Sequence, residues 1–170
     1  GGDGGSAAAN TFQCGGGGGA GSTGVKRIFV KAGTTWTATF SATSGGNTTF
    51  TDGVTTLIAG NGVDGISNSA TTASGGGTAA SSGFDYFHLG GRGDKGVARL
   101  NSVSFAFGGQ GGASYYGGGG SGGCTTSTGA GESADAGRAY GSGGGGASNN
   151  NSIGQSKGGL GKVGIIRIIG

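Results

Sequence analysis

Large apolar residues are sparse along this chain and fall in short bursts between glycine-rich stretches. In Val25–Lys31, Ile28 and Val30 alternate with Arg27, Phe29 and Lys31, a period of two that predicts a strand. Thr35–Ala42 repeats the pattern, with Trp36, Ala38 and Phe40 on one face and Thr35, Thr37 and Thr39 on the other. With Ala32-Gly33 as the turn, the two bursts predict an antiparallel hairpin. Gly45-Gly46-Asn47 signals another turn, and Thr48–Thr51 and Val54–Ala59 follow as short strands with Phe50 and Leu57 inward. Val97–Phe107 contains a further strand with Val103, Phe105 and Phe107 on one face. Lys162–Ile169 is apolar on both faces except at Arg167, which predicts a central strand. Residues 60–83 read as a loop and residues 124–153 as small and polar, while Phe12 is the expected core anchor of the first 24 residues.

Between the bursts the pattern changes to a period of three. Residues 108–123 carry Gly108, Gly111, Gly117, Gly120 and Gly123 in one register, broken by Ser114. The spacing recurs at Gly15, Gly18, Gly21 and Gly24, at Gly90, Gly93 and Gly96, and at Gly158, Gly161 and Gly164. Three residues per turn is the period of the polyproline-II helix, which has no internal hydrogen bonds. Its amides need partners elsewhere, and parallel glycine helices approach closely enough to supply them. The prediction is an all-β, irregular glycine-rich fold of short antiparallel strands and packed polyglycine-II helices, with no α-helix of note. It forms one domain over residues 1–170: a hairpin region at 25–59, a loop and aromatic segment at 60–96, and a central glycine block with C-terminal strand at 97–170.

Composition sharpens this. Glycine is 50 of 170 residues, while Val, Ile, Leu and Phe together number 27 and proline is absent. Collagen is excluded, because it needs strict G-X-Y and abundant proline. A small apolar core does not offset fifty glycines, each costing roughly 0.5–1 kcal/mol against alanine in regular structure, so backbone hydrogen bonding between chains or oligomerisation is expected to carry the fold. No methionine occurs, so residue 1 is expected to come from processing or to lie within a longer product. No apolar run approaches a membrane span, and no signal peptide is visible. The net charge of +3 is scattered rather than clustered, which argues against nucleic acid as a partner.

The succession from Cys14 through Gly65 resembles the glycine-rich domain at the distal ends of bacteriophage tail fibres and related adhesins. In that family a glycine run leads to a hairpin, then a T-x-F segment, a second glycine block and a glycine-led hydrophobic strand. The matching pieces here are Gly15–Gly24, Val25–Phe40, Thr48–Ala59, Gly108–Gly123 and Gly158–Ile169. The resemblance implies packed polyglycine-II helices, variable distal loops that touch the host surface, and a virion location. It also implies partners: a host-surface glycan or outer-membrane protein, other virion proteins, and a homo-oligomer (a trimer) or a fibre chain. Members usually begin with a strand before the first glycine run, whereas Gly1-Gly2-Asp3-Gly4-Gly5 opens on glycine. That departure points to a strand lying outside this chain or supplied by another, within a larger assembly.

Candidate chemistry is thin. His88, with Asp85 near it in sequence, lacks the G-x-S-x-G elbow of a nucleophile and reads as a loop histidine among aromatics. No G-x-x-x-x-G-K-[ST] phosphate loop occurs. Arg92-Gly93-Asp94 reads as a polar step within a glycine register, and the carboxylates are too dispersed for a calcium loop. No catalytic residue, metal or cofactor is expected, and the protein reads as a non-enzyme. Cys14 and Cys124 form either one long-range disulfide or two buried thiols acting as small hydrophobes. Tyr86, His88, Tyr115, Tyr116 and Tyr140 are the expected receptor contacts, because aromatics on supported loops bind at low entropy cost. Phe84 and Phe87 read as core anchors. The alternative functions are an ice-binding protein or a glycine-rich module of a receptor ectodomain.

Overall fold

Without a Cβ, two backbones can approach until their N–H and C=O groups pair directly across the gap. The structure, a computed structural model, describes residues 1–9, 12–41, 46–99, 105–126, 130–150 and 154–169. Among these residues ten extended segments use that approach. They are I (1–7), II (15–22), III (60–68), IV (74–79), V (90–95), VI (108–113), VII (119–123), VIII (132–137), IX (141–147) and X (156–163). Each runs opposite to the one before it in the chain.

Segment II illustrates the rule. Its N–H groups point in three directions in turn. Gly15, Gly18 and Gly21 donate to Ala147, Gly144 and Gly141 of segment IX, at 2.8 Å each. Gly16, Gly19 and Ser22 donate to Ile66, Val63 and Gly60 of segment III, and Gly17 and Ala20 to Asp94 and Gly91 of segment V. Its carbonyls accept from Gly109 and Gly112 of VI, Gly5 and Gly2 of I, and Gly76 of IV. Segment II is thus enclosed by six others. Segment IX is enclosed the same way, by I, II, VI, VII, VIII and X. The eight outer segments close a ring around this pair in the order I, III, IV, V, VI, VII, VIII, X, each bonded to the next.

This arrangement explains where glycine is dense. In II and IX every residue faces another segment, so residues 14–21 and 142–149 are buried without a break and the sequence runs GGGGG and GGGG. In the outer segment X only some residues face inward. Gly159 is buried, while Lys157 and Leu160 point out. A Cβ added at Gly15 would lie 1.9 Å from the Gly5 carbonyl oxygen, and one at Gly143 would lie 2.0 Å from that of Gly18. No side-chain adjustment relieves a clash with backbone.

Short strands close the two ends of the array. At one end β1 (Phe12–Cys14) pairs with β11 (Ser148–Asn150), and an antiparallel sheet runs β10 (Cys124–Thr126), β9 (Phe105–Phe107), β8 (Gly96–Arg99), β6 (Thr72–Ala73). Its buried cluster is small: Cys14, Ala73, Ala98 and Ala106, with Phe12 packed against them. At the other end β2 (Thr23–Val25) pairs with β7 (Tyr86–His88), and β3 (Thr37–Thr39), β4 (Thr48–Thr51) and β5 (Thr56–Ala59) form a three-stranded antiparallel sheet. Leu57 is buried there, and Phe50 stacks on Trp36 with ring centroids 4.8 Å apart. The described residues are all-β, with short antiparallel strands and no helix.

Several sequence expectations are corrected. The hairpin of 25–31 with 35–42 does not form, because β2 ends at Val25 and pairs with β7, while β3 pairs with β4. The Asp85 carboxylate holds the Lys26 ammonium and accepts the Arg27 N–H, which pins this strip beside β7 and leaves Phe29 98% exposed. Lys162–Ile169 is not a central strand. Its backbone bonds to the array lie at its start, where the Lys162 N–H donates to the Ser142 carbonyl and the Val163 carbonyl accepts from the Gly141 N–H, and Ile168 and Ile169 stand in solvent. Residues 60–83 are not mainly loop, since they contain segments III and IV. The 108–123 run is two segments: Ser114 and Gly117 exchange N–H···O bonds and the chain reverses between them. Gly117, at φ 148°, therefore sits at that reversal, and its added Cβ would meet only the Ala139 methyl, at 3.0 Å. Gly24 faces the Phe84 ring and Gly164 the Thr48 side chain, not backbone. Gly15, Gly18, Gly108, Gly111, Gly120, Gly123, Gly158, Gly161 and, less tightly, Gly21 do lie against neighbouring backbone. The strand position expected for Val103 lies outside the described residues.

The cysteines are free thiols, Cys14 buried and Cys124 exposed, so there is no bridge. Burial pushes the Cys14 thiol above its ordinary pKa, which keeps it protonated and unreactive.

Two outcomes follow from this packing. Gly143→Ala should destabilise by more than ~4 kcal/mol, roughly a 10 °C or larger fall in Tm for a chain of this size, through backbone displacement. Gly118→Ala, where a Cβ meets nothing within 4 Å, should shift Tm by no more than about 2 °C. Calorimetry of the two variants checks this, and equal melting points would refute the close-packed array. A thiol reagent should modify Cys124 in the native protein and reach Cys14 only on unfolding, as mass spectrometry would record.

Candidate functional site: an aromatic row at one end of the array

The segments themselves are backbone, so side chains of any size gather where the chain turns. Five rings meet at the end that carries β2 and β7. Tyr86 and His88 lie on β7, held by pairing with Val25 and Thr23 of β2. Tyr115 and Tyr116 occupy the reversal between segments VI and VII, where the Tyr116 N–H donates to the Ser114 hydroxyl at 3.1 Å. Tyr140 lies in the turn joining VIII to IX, fixed by Ser142, whose hydroxyl donates to the Ala139 carbonyl at 2.7 Å.

These rings form one continuous row. Tyr86 meets His88 edge-on with centroids 5.4 Å apart, and His88 lies 6.1 Å from Tyr115. Tyr115 meets Tyr116 at 5.4 Å, and Tyr116 meets Tyr140 at 6.3 Å, both near perpendicular. Edge-to-face geometry at these distances is the favoured arrangement of aromatic pairs. All five rings are nevertheless exposed, Tyr115 by 68% and Tyr140 by 52%. The five residues singled out from the sequence are therefore brought together. Phe84 is half-buried beside Gly24, whereas Phe87 is 47% exposed and does not anchor a core.

The row borders a cleft of about 1020 Å³ lined on its apolar side by Trp36, Phe50, Phe84, Ile165 and Ile166. The Trp36 indole Nε1–H is buried there without an acceptor among the described residues, so an acceptor entering the cleft would pair it. A smaller hollow of about 650 Å³ lies between Tyr116, Arg138, Tyr140 and Lys162. Lys162 lines both spaces. The sequence reading missed Arg138 and Lys162, whose only signal was their position beside glycine turns.

Asp85 turns to Lys26 and the Arg27 N–H rather than to His88. Among the described residues no group of three His, Cys, Asp or Glu side chains gathers as a metal site. Arg92-Gly93-Asp94 lies straight within segment V, its Gly93 buried against segment II. Compared with protein-family models, curated proteins and solved structures, the chain matches none of them.

The Lys26 ammonium, with the Arg27 N–H, holds the Asp85 carboxyl below its ordinary value of 3.8. A depressed carboxyl stabilises the fold above the unfolded pKa, and that contribution is lost as pH falls through the folded value. Acidification below about pH 4 should therefore release the 25–27 strip from β7. Hydrogen exchange at the Arg27 amide should accelerate there, and Asp85→Asn should produce the same acceleration at pH 7. An amide indifferent to both would show that the pair does not hold the strip.

Proposed function

We propose that this chain is the receptor-recognising tip domain of a virion tail fibre, a non-enzymatic adhesive protein that meets a host-surface glycan or outer-membrane protein. The observation that carries the reading is the exposed five-ring row set on turns of the glycine array. Surfaces that recognise ligands favour Tyr on rigid supports, because large contact area then costs little entropy. The array is the rigid support. We read it as a lattice of polyglycine-II helices, a reading supported by bonds that return to the same neighbour every third residue and by the lack of bonds within a segment. Segments of about seven residues at ~3.1 Å per residue make a pedestal roughly 20 Å tall. The sequence resemblance to distal glycine-rich fibre domains supports the same role and an extracellular, virion-borne location.

A place within a larger assembly fits the apolar strip formed by residues 25–30 and 163–169. Val25, Phe29, Val30, Val163, Ile168 and Ile169 are all exposed, and all but Phe29 line the one cleft, a grouping of exposed apolar residues that suits an interface. A homotrimer or union with a fibre chain would cover it.

Replacing both Tyr115 and Tyr116 by alanine should leave Tm within about 2 °C of the parent, because the rings are exposed and bury little area. The same double variant should lose most adsorption to host cells in a pull-down of labelled protein. Undiminished adsorption would move the receptor surface away from this row.

A further inference from the structure

The charge of the chain is concentrated at the aromatic end. The turns and strands there, residues 22–41, 46–59, 80–90, 113–118, 138–141 and 162–169, hold six of the ten Lys and Arg and two of the seven Asp and Glu. That end is net +4 in a chain whose total is +3, so the remainder is net −1. Its two acids are already engaged. Asp52 accepts the N–H groups of Val54 and Thr55 at 3.0 and 2.6 Å, and Asp85 is held by Lys26 and the Arg27 amide. Among the described residues no carboxylate lines the cleft or the smaller hollow, whereas Lys26, Arg27, Lys162 and Arg167 line the cleft.

Two of the cations stand beside the ring row. Lys162 has no carboxylate partner among the described residues and shares the smaller hollow with Tyr116 and Tyr140. Arg138 is oriented by bonds from Nη2 to the Asp135 carboxylate at 3.1 Å and the Ser121 hydroxyl at 2.7 Å. Both bonds use the same nitrogen, so the Nη1 and Nε donors remain open to a ligand.

We propose that the ligand of this surface is an acidic saccharide, with a sugar ring against Tyr116 and Tyr140 and its phosphate or carboxylate group between Lys162 and Arg138. This rests on the reading of the aromatic end as the receptor surface. The C–H face of a sugar ring is apolar and covers an aromatic face well, while the rings alone do not distinguish a neutral sugar from a charged one. An anion beside the rings gains charge-assisted hydrogen bonds from both cations. A positive end also draws anionic ligands and disfavours basic protein surfaces.

The test uses the full chain and two saccharide probes, followed by tyrosine fluorescence. One probe is lipopolysaccharide core oligosaccharide with its phosphates intact, and the other is the same material after chemical dephosphorylation. The phosphorylated probe should bind at least about tenfold more tightly at 20 mM salt, an advantage that shrinks as salt screens the charges. Lys162→Gln should remove most of that advantage without weakening the dephosphorylated probe, and Tyr116→Ala should weaken both. Circular dichroism melting of each variant separates loss of binding from loss of fold. Equal binding of the two probes, or an advantage that survives Lys162→Gln, would overturn the acidic-saccharide assignment. Binding of neither probe would overturn it as well. In that case, adsorption to cells that still depends on Tyr115 and Tyr116 would leave the adhesin reading standing with a protein receptor. Adsorption indifferent to those tyrosines would remove both.

Discussion

Everything in this protein depends on a backbone hydrogen bond made between segments at a separation only glycine allows. In a sheet or helix, local geometry sets up the bonds and side chains pack afterwards. Here the order is inverted. No segment satisfies its own amides, and Gly18 must find Gly144 with its N–H and Gly112 with its carbonyl before either is paired. The bond is worth little net in water, but a buried backbone group left unpaired is expensive. Interior segments II and IX are therefore fully bonded or not formed at all, and one Cβ at their centre disturbs several neighbours at once. The fold has almost no apolar core to compensate. Its largest fully buried side chains are Asn149, Cys14, Ser142 and Ser148.

That constraint also sorts the chain into regions with different freedoms. Within the array, side chains are excluded wherever one segment faces another. At the turns the exclusion lifts. One end uses that freedom sparingly, on Ala and Cys under short strands. The other places an exposed aromatic row, the cations Lys162 and Arg138 and an apolar cleft side by side. A rigid array built from backbone is a support on which end loops can vary without altering what holds them. This division is the physical basis for the proposal that recognition sits at the turns.

Much of this was legible in the chain, but unevenly. The period of three pointed to extended segments bonded to one another, and of the short strands expected at 48–51 and 54–59 the first is β4 and the second contains β5, which starts at Thr56. The exposure of Tyr115 and Tyr116 was legible because glycine on either side gave them little to bury against. What misled was treating each alternation as a strand and each glycine register as a face. Residues 25–31 and 162–169 alternate or are apolar, yet the first pairs only through Val25, with Tyr86 of β7, and the second joins no sheet. Gly117 kept the register by spacing and lost it to a chain reversal.

By itself, the sequence determined that most glycines of the dense runs must lie against backbone and that the apolar core is small. These are consequences of composition and spacing, which act locally. Only the tertiary structure decided that segments II and IX are the enclosed pair, that the other eight ring them, and that Tyr86, His88, Tyr115, Tyr116 and Tyr140 share one end with Lys162. The reason is physical. A glycine segment carries no side chain to specify its partner, so its neighbours are chosen by the whole set of chain reversals acting together.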